Sequence, residues 1–292
     1  MINYPEDGAL REQRDLHGLT NAVIVRDLVR VVEVLNLASK NFFHSRSVLA
    51  GSMGLRCFGS PRFTVFDADF STARIEEPRS VKDQFAYNDE LLTITPEGAK
   101  ADGHESLVTV MPITFDPVFT RLAIAESELR FKADVSFRGM EVDGIELDLV
   151  TPYDLDIWLP NVARNIYAMT PVETLAEKIL GWVAHSEAKH YADAAWATLQ
   201  WNQGIEHFEF SATELKDLLE AKLERMRKLH PGLYQGLPTV DAVVRKLSAP
   251  PQLSGGWNKL QYLKSQRETW SEAQASNIVS EILVPELRRV RR

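Results

Sequence analysis

Two aspartates one residue apart, Asp67 and Asp69, are the side chains whose spacing points most directly to chemistry. They close the β-branched and aromatic run RFTVFDADF, which predicts a strand. Positions i and i+2 of a strand share a face, so the two carboxylates are expected to project together. Because like charges repel, we expect a cation between them, and paired carboxylates suit Mg²⁺ or Mn²⁺ held together with substrate phosphates.

A small-residue step, Gly51-Ser52, comes before the aspartates, at the end of the short apolar run SVLA. Glycine lets the backbone approach a phosphate closely, and serine adds a hydroxyl and a helix-start amide. The pattern predicts a strand, a Gly-Ser turn, a short helix over residues 53–58 and then the acidic strand. A second acidic pair, Asp154 and Asp156, has no such step before it, and we interpret it as a solvated strand end or turn.

Composition limits the class of protein. The chain has 292 residues, of which 45% are hydrophobic and 25% charged, so it is long enough for two domains and is globular. Its net charge of -8 means that a phosphate-bearing substrate must be met by local basic patches. The single cysteine, Cys57, excludes an internal disulfide, and we expect it in the core. No signal-like segment and no run of roughly twenty apolar residues is found, which predicts a cytoplasmic protein without membrane contact.

The hydrophobic pattern changes near residues 160–170. Before this point a helix is predicted over residues 21–43, and strand-like runs occur at ELLTIT, SLVTVMPITF, LRFKADVSF and DGIELDLV. After it helical patterns dominate, and Pro171 suits the first turn of a helix. We therefore predict an α+β fold, with a mixed-sheet domain over residues 1–165 followed by a helical domain over residues 166–292.

The order of these motifs resembles the nucleotidyltransferase superfamily built like DNA polymerase β, and within it the AbiEii toxin family with its MenT-type members. The family run is Gly-Gly followed by Arg-x-(Ser/Thr)-x-Asp-x-Asp, and it appears here as LAGSMGLRCFGSPRFTVFDADF. Gly51 and Ser52 match the Gly-Gly step, and Arg62 and Thr64 match the Arg and Ser/Thr positions. The resemblance implies an α+β nucleotidyltransferase domain that precedes a helical domain.

Two further family positions lie on helices and a third lies on a middle strand. Lys178 in LAEKILGW and Asp193 in KHYADAAW match the family's functional lysine and aspartate, and Asp134 in LRFKADVSF matches an acidic strand position. Structural interpretations compete with each match. The lysine could be a solvated helix residue, Asp193 could cap a helix, and Asp134 could form a surface ion pair with Lys132.

By this resemblance the expected activity is transfer of a nucleotide from an NTP to an acceptor hydroxyl, with Mg²⁺ or Mn²⁺ as cofactor. The implied metal ligands are Asp67, Asp69 and Asp134. The implied nucleotide-binding residues are Gly51, Ser52, Arg62, Thr64 and Lys178. The ammonium of Lys178 would neutralise the leaving pyrophosphate, and Asp193 would orient that lysine or the acceptor.

The acceptor and partners follow from the same resemblance, which implies modification of RNA at the 3′ end of tRNA, a block of translation and growth, and a cognate antitoxin. Two basic stretches occur in this acidic chain, KLERMRKLH and the terminal LRRVRR. We interpret the first as a solvated helix face and the second as an RNA-contacting tail.

Other functions stay open at this point. The Arg-to-Asp spacing is one residue longer than in the family, so Phe66 stands where the first Asp is expected. A non-catalytic nucleotidyltransferase-like binding module is therefore one alternative. A second is an enzyme that nucleotidylates or phosphorylates a protein such as its antitoxin. A metal-dependent nuclease could also use paired aspartates, but it would not need a triphosphate cradle.

Overall fold

The structure is a computed structural model that describes most of the chain, and less of residues 112–165 than of the rest. The described residues are 7–43, 47–63, 67–72, 83–88, 92–94, 98–102, 106–111, 113–115, 131–137, 144–147, 166–229, 231–234, 236–237, 239–249, 256–257, 260–262 and 270–290.

The chain divides into two compact units. The first, which we call the sheet unit, comprises Met1–Met169 and Tyr262–Ser265. The second, which we call the helical unit, comprises Thr170–Gln261 and Gln266–Arg292. Residues 166–169, which we predicted to begin the helical domain, belong to the sheet unit because they form a strand that pairs on both sides within the sheet.

The strands are short. In chain order they are β1 (Ser47–Leu49), β2 (Arg62–Phe63), β3 (Asp67–Thr72), β4 (Tyr87–Asn88), β5 (Leu92–Ile94), β6 (Gly98–Asp102), β7 (Ser106–Met111), β8 (Ile113–Phe115), β9 (Phe131–Phe137), β10 (Gly144–Leu147), β11 (Ile166–Met169) and β12 (Gln261–Tyr262). Among the described residues, seven strands form one sheet in the order β10-β11-β1-β3-β9-β7-β6. The β1–β11 and β3–β9 pairs are parallel and the others antiparallel, which confirms the predicted mixed sheet.

The run RFTVFDADF, predicted to be one strand, contributes to two sheets. Its start forms β2, which pairs with β12, and its end forms β3, which lies inside the seven-stranded sheet. Residues 64–66 between them, with the Thr64 and Phe66 of the sequence motif, lie outside the described residues. The second acidic pair at 154 and 156 also lies outside them.

In the described part of the sheet unit the helices are α1 (Asp7–His17), α2 (Asn21–Ser39) and α3 (Gly51–Arg56). The Thr20 hydroxyl accepts a hydrogen bond from the Val23 amide and so begins α2. The helix ends earlier than the predicted residue 43, because Asn41 takes a left-handed conformation with φ 55°. From residue 29 to 38 every side chain of α2 is buried, including charged ones.

An aromatic cluster fixes strand β3 against the core. Phe42 packs edge to face on Phe70 of β3 with ring centroids 5.7 Å apart, and Phe85 packs on Phe70 at 5.6 Å. Side chains alternate along the strand, so Ala68 and Phe70 are buried in the core while Asp69 is only half-buried. Burial of these rings therefore sets the face on which Asp69 lies.

The helical unit follows the predicted pattern. Its helices are α4 (Pro171–His185), α5 (Ala188–Asn202), α6 (Ala212–Leu229), α7 (Pro231–Tyr234), α8 (Val240–Leu247), α9 (Glu272–Ile278) and α10 (Val284–Arg289). Thr170 caps α4 and Pro171 occupies its first turn, as predicted. A π-helical segment, Val279–Leu283, joins α9 to α10 just before Pro285. Proline has no backbone N–H, so Pro285 cannot donate the usual helical hydrogen bond to the carbonyl of residue 281. Within the described part of the chain, no helix combines the length and apolar character needed to cross a membrane.

Candidate functional site

Gly51 and Asp69 lie against each other in the sheet unit. Gly51 has φ +62°, and a Cβ atom placed there would overlap Asp69 Oδ2 and lie 2.8 Å from its Cγ. The backbone amide of Ala50 donates to the carbonyl of Asp69 at 2.8 Å, which holds β1 and β3 in register at this point. A side chain at position 51 would therefore displace the Asp69 carboxylate. The glycine step and the acidic pair of the sequence motif thus meet through one close contact.

Backbone register brings the candidate acids onto neighbouring positions. Strands β3 and β9 are parallel, with Asp69 paired to Asp134 and Asp67 paired to Lys132. Residues two apart on a strand, and residues paired across parallel strands, share a face of the sheet. Positions 67, 69 and 134 therefore lie on one face, opposite Ala68. The side chains of Asp67 and Asp134 are not among those described.

Ser52 and Arg62 form a buried polar pair next to this contact. The Arg62 guanidinium donates through Nη2 to Ser52 Oγ, and the two residues are 7% and 6% exposed. A hydroxyl and a guanidinium are both groups that can hydrogen-bond to phosphate oxygens. Two of the residues predicted to bind nucleotide, Ser52 and Arg62, thus lie together beside Gly51.

A buried ion pair that the sequence motifs did not reveal fixes the far end of α3. Arg56 forms a bidentate ion pair with Asp27 of α2. Its Nη1 donates to Oδ1 and its Nη2 donates to Oδ2, the latter at 3.1 Å. Both residues are almost completely buried. Arg56 lies one turn after Ser52, so the pair holds the short helix that begins with the Gly51-Ser52 step. The available signal was Asp27 itself, a charge inside the apolar pattern of α2.

A second buried acid of α2 has no cation in hydrogen-bonding contact among the described residues. Asn36 Nδ2 donates to Glu33 Oε1 at 3.3 Å, while Oε2 is buried without a hydrogen-bond partner in the described part of the chain. Burial raises the pKa of Glu33 to about 8, against smaller lowering effects of Asn36 and Lys40. Glu33 is therefore largely protonated at neutral pH.

In the helical unit Lys178 of α4 and Asp193 of α5 form an ion pair. Lys178 Nζ lies 2.8 Å from Asp193 Oδ2, and the side chains are only 7% and 2% exposed. Asp193 lies inside α5, which begins at Ala188, so the helix-cap interpretation is wrong. The interpretation of Lys178 as a solvated helix residue is wrong as well, because its side chain is buried. The structure thus brings together the two positions that the sequence motif predicted.

Lys222 of α6 is another buried cation, and its burial was not predicted from the sequence. Its Nζ lies 2.7 Å from Glu173 Oε2 and 3.2 Å from Glu177 Oε1, both on α4. Lys222 opens the stretch KLERMRKLH, which we had interpreted as a solvated helix face. That interpretation fails for Lys222 and holds for Lys228, which is exposed. Local sequence does not distinguish the buried Lys222 from the exposed Lys228, because the burial of Lys222 depends on carboxylates from a distant part of the chain.

The donor set at Asp69 fits a hard divalent cation. Among the residues that the structure describes, no group of three or more His, Cys, Asp or Glu side chains is arranged to hold a metal ion. Two of the three predicted ligands, Asp67 and Asp134, have side chains outside that set, but their backbone positions flank Asp69. Carboxylate oxygens are the ligands that Mg²⁺ and Mn²⁺ prefer, so the chemistry of the half-buried Asp69 is compatible with such an ion.

Comparison with known proteins decides the family. The model of the nucleotidyl transferase AbiEii toxins of type IV toxin–antitoxin systems matches residues 34–274, which is most of the chain. The chain belongs to this family. The resemblance predicted from the sequence is therefore confirmed, and the protein is a nucleotidyltransferase toxin of a type IV toxin–antitoxin system. A comparison with curated proteins gives no match.

A solved structure shows the same fold. The nucleotidyltransferase toxin MenT4 from Mycobacterium tuberculosis H37Rv superposes with a TM-score of 0.67 at 12% identity, over 97% of this chain and 90% of that chain. JHP933 from Helicobacter pylori gives a TM-score of 0.49 at 14% identity, over 91% of this chain and 94% of that chain. The likeness to MenT4 confirms the α+β fold class.

Proposed function

We propose that this toxin transfers a nucleotide from an NTP to the 3′ end of an RNA, with tRNA as the expected acceptor, in a reaction that depends on Mg²⁺ or Mn²⁺. The observation that carries the proposal is the contact between Gly51 and the Asp69 carboxylate, which joins the phosphate-binding half of the motif to its acidic half. Family membership supports transferase chemistry, and the RNA acceptor is supported by the resemblance to the MenT-type toxins.

We propose that the divalent ion binds at the acidic positions of β3 and β9. Asp69, with Asp67 and Asp134 beside it in the register, would hold the divalent ion. Such an ion, when bound, supplies positive charge to the phosphoryl oxygens during an in-line displacement. Asp134 is also the residue that we assign to accept the proton of the acceptor hydroxyl, because it lies directly beside Asp69.

The residues around Gly51 would bind the triphosphate. The Ser52 hydroxyl, which accepts a hydrogen bond from Arg62 beside Gly51, is assigned to a phosphate oxygen. The Arg62 guanidinium adds positive charge at the same place. Thr64 is assigned to the nucleotide only by the family motif. Gly51 has no side chain and therefore leaves room for the Asp69 carboxylate.

We assign Lys178 and Asp193 to stabilising the pyrophosphate leaving group. An ammonium offers a compact point charge that neutralises pyrophosphate without needing bidentate geometry. Its ion pair with Asp193 restricts the ammonium to one position. We assign Asp193 to orienting Lys178 rather than to direct contact with the acceptor.

The proposed partners are an NTP, an RNA and a cognate antitoxin. The net charge of -8 requires RNA contacts to be local. The end of α10 offers two exposed cations, Arg288 and Arg289, the second of which pairs with Glu286. Residues 291 and 292 lie outside the described part of the chain.

The test is incubation of the protein with each α-labelled NTP, Mg²⁺ and total tRNA. We expect label on RNA with the wild type and a loss of at least about 1000-fold with Asp69→Ala, because several kcal/mol of transition-state stabilisation depend on the metal. Asp83→Ala, at an exposed carboxylate of the same unit, should transfer label normally. Label on protein, shortened RNA or transfer that survives Asp69→Ala would each contradict the proposal.

A further inference from the structure

Ser71 is the next residue of β3 on the sheet face that carries Asp69. Side chains alternate along a strand, so positions 69 and 71 share one face and Phe70 lies on the other. Contacts agree with this division, because Asp69 lies against Gly51, whereas Phe70 packs into the aromatic cluster of the core. The Ser71 hydroxyl therefore belongs to the same face as the carboxylate to which we assign the divalent ion.

The Ser71 hydroxyl is buried without a hydrogen-bond partner in the described part of the chain. The residue is 1% exposed. A buried hydroxyl that has lost its hydrogen bonds to water and gained none in return costs free energy. Ser47 of β1, which is also buried, differs in this respect, because its Oγ donates to Thr72 Oγ1 at 3.3 Å on the opposite face. Of these two buried serines, the one that lacks a protein partner is the one beside Asp69.

A hydrated divalent cation is a chemically suitable partner for a hydroxyl at this place. When Mg²⁺ binds through one or two carboxylates it usually keeps several water molecules, and these donate strong hydrogen bonds. Residues two apart on a strand are separated by about 7 Å along the backbone. A water molecule of an ion held at Asp69 would therefore come within reach of the Ser71 hydroxyl.

We propose that Ser71 is a positioning residue that accepts a hydrogen bond from a water molecule of the hydrated divalent ion at Asp69. This inference rests on the proposed function, in which Asp69 binds that ion. It adds a contact to the hydration shell beyond the carboxylates of the sequence motif. A purely structural Ser71 would instead only fill space in the sheet, and its hydroxyl would be dispensable.

The inference predicts that Ser71→Ala separates ion binding from stability. Binding of Mn²⁺ together with nucleotide should weaken about fivefold, because one hydrogen bond to the hydration shell is lost. The midpoint of urea unfolding without the ion should stay the same or rise, because the hydroxyl that is removed has no partner in the described part of the chain. Ser71→Cys should weaken Mn²⁺ binding as well, because a thiol fills the space of the hydroxyl but accepts hydrogen bonds weakly.

The experiment measures two quantities on the full chain. Uptake of Mn²⁺ is followed by the electron paramagnetic resonance of free Mn²⁺, in the presence of an NTP that carries a methylene group between its α- and β-phosphates. Stability is followed by urea unfolding without metal or nucleotide. The matched control is Ser47→Ala, which removes a buried hydroxyl that has a partner in the same sheet. It should lower the urea midpoint and leave Mn²⁺ binding unchanged.

Three results would overturn the inference, and they separate it from the proposed function. Equal Mn²⁺ binding in the wild type and both Ser71 variants overturns the inference alone. A Ser71→Ala variant that loses as much stability as Ser47→Ala also overturns it, because the hydroxyl would then stabilise the empty fold. A wild type that takes up no Mn²⁺ with this nucleotide overturns the proposed function and the inference together.

Discussion

The sheet unit and the helical unit position their candidate residues by different means. In the sheet unit Asp69 is placed by backbone register and by a glycine that leaves room for its carboxylate. In the helical unit Lys178 is placed by a buried partner of opposite charge, Asp193. The difference teaches that an uncharged substitution can be as damaging as loss of a catalytic charge in the sheet unit. In the helical unit, by contrast, we expect the most damaging substitutions to be those that remove one charge of a buried ion pair.

The largest effect expected from a residue without a functional group is that of Gly51→Ala. The new Cβ would push the Asp69 carboxylate away, and a displacement of about 1 Å at a reacting group costs about 100-fold in rate. Label transfer to RNA from an α-labelled NTP measures this loss.

A matched control separates the clash from backbone strain. Gly204 has φ +63°, nearly the value at Gly51, but no atom lies within 4 Å of a Cβ built there. Gly204→Ala should therefore cost roughly 1 kcal/mol of stability and leave transfer intact. Equal activity of the two alanine variants would show that the contact with Asp69 is irrelevant.

In the helical unit the corresponding test is Lys178→Met. Transfer should fall about 100-fold, because one preorganised charge at the leaving group is lost, and stability should fall by about 3–5 kcal/mol, because the buried Asp193 carboxylate loses its ion pair with Lys178. Adding Asp193→Leu should recover much of the stability in urea unfolding but none of the activity.

Lys189 provides the control for this prediction. It lies on α5 and pairs with Glu187 at 3.2 Å, but both side chains are more than 40% exposed. Lys189→Met should change neither transfer nor stability by more than about 1 kcal/mol. Recovery of activity together with stability in the Lys178→Met/Asp193→Leu variant would reduce the pair to a structural element.

Much of this arrangement was predictable because it depends on local sequence. The Gly51-Ser52 step, the strand before it and the capped start of α4 at Pro171 each follow from residue types a few positions apart. Lys178 and Asp193 were found through a motif whose two parts lie on consecutive helices.

What could not be predicted depends on contacts between distant segments. The pairing of Asp69 with Asp134 joins strands that are far apart in the chain, and nothing in either strand specifies its partner. The division of one apolar run into β2 and β3 has the same origin, because β2 pairs with residues 261–262. The burial of Lys222 and Arg56 depends on carboxylates on other helices, which a periodic pattern does not reveal.

A smaller effect tests how the sheet unit holds its own buried charge. Arg56→Met leaves Asp27 buried without its forked partner, so the protein should lose about 3–5 kcal/mol in urea unfolding. Transfer per folded molecule should fall less than in Gly51→Ala, because the Gly51–Asp69 contact does not involve Arg56. Arg14→Met, at an exposed pair with Asp15, should cost at most about 1 kcal/mol. Similar stability losses in both variants would contradict this account of the buried pair.

A further effect concerns pH and Glu33. Its pKa is raised from 4.5 to about 8 in the folded protein, so between these values the unfolded chain loses a proton that the folded protein keeps. Glu33 therefore contributes stability that is fully present below about pH 4.5 and is lost as the pH rises toward 8, by about 1.4 kcal/mol per pH unit at most. Glu33→Gln should flatten this slope in urea unfolding between pH 5 and pH 8. An unchanged slope would mean that Glu33 ionises normally in the fold.

The most direct test of the central claim is the uptake of Mn²⁺ together with nucleotide, measured by the electron paramagnetic resonance of free Mn²⁺ with an NTP that carries a methylene group between its α- and β-phosphates. The account predicts that the wild type binds Mn²⁺ with this nucleotide, that Asp69→Asn weakens Mn²⁺ binding at least about tenfold, and that Asp83→Asn binds as the wild type does. Equal Mn²⁺ and nucleotide binding in Asp69→Asn and the wild type would contradict the claim that the sheet face beside Gly51 holds the catalytic metal.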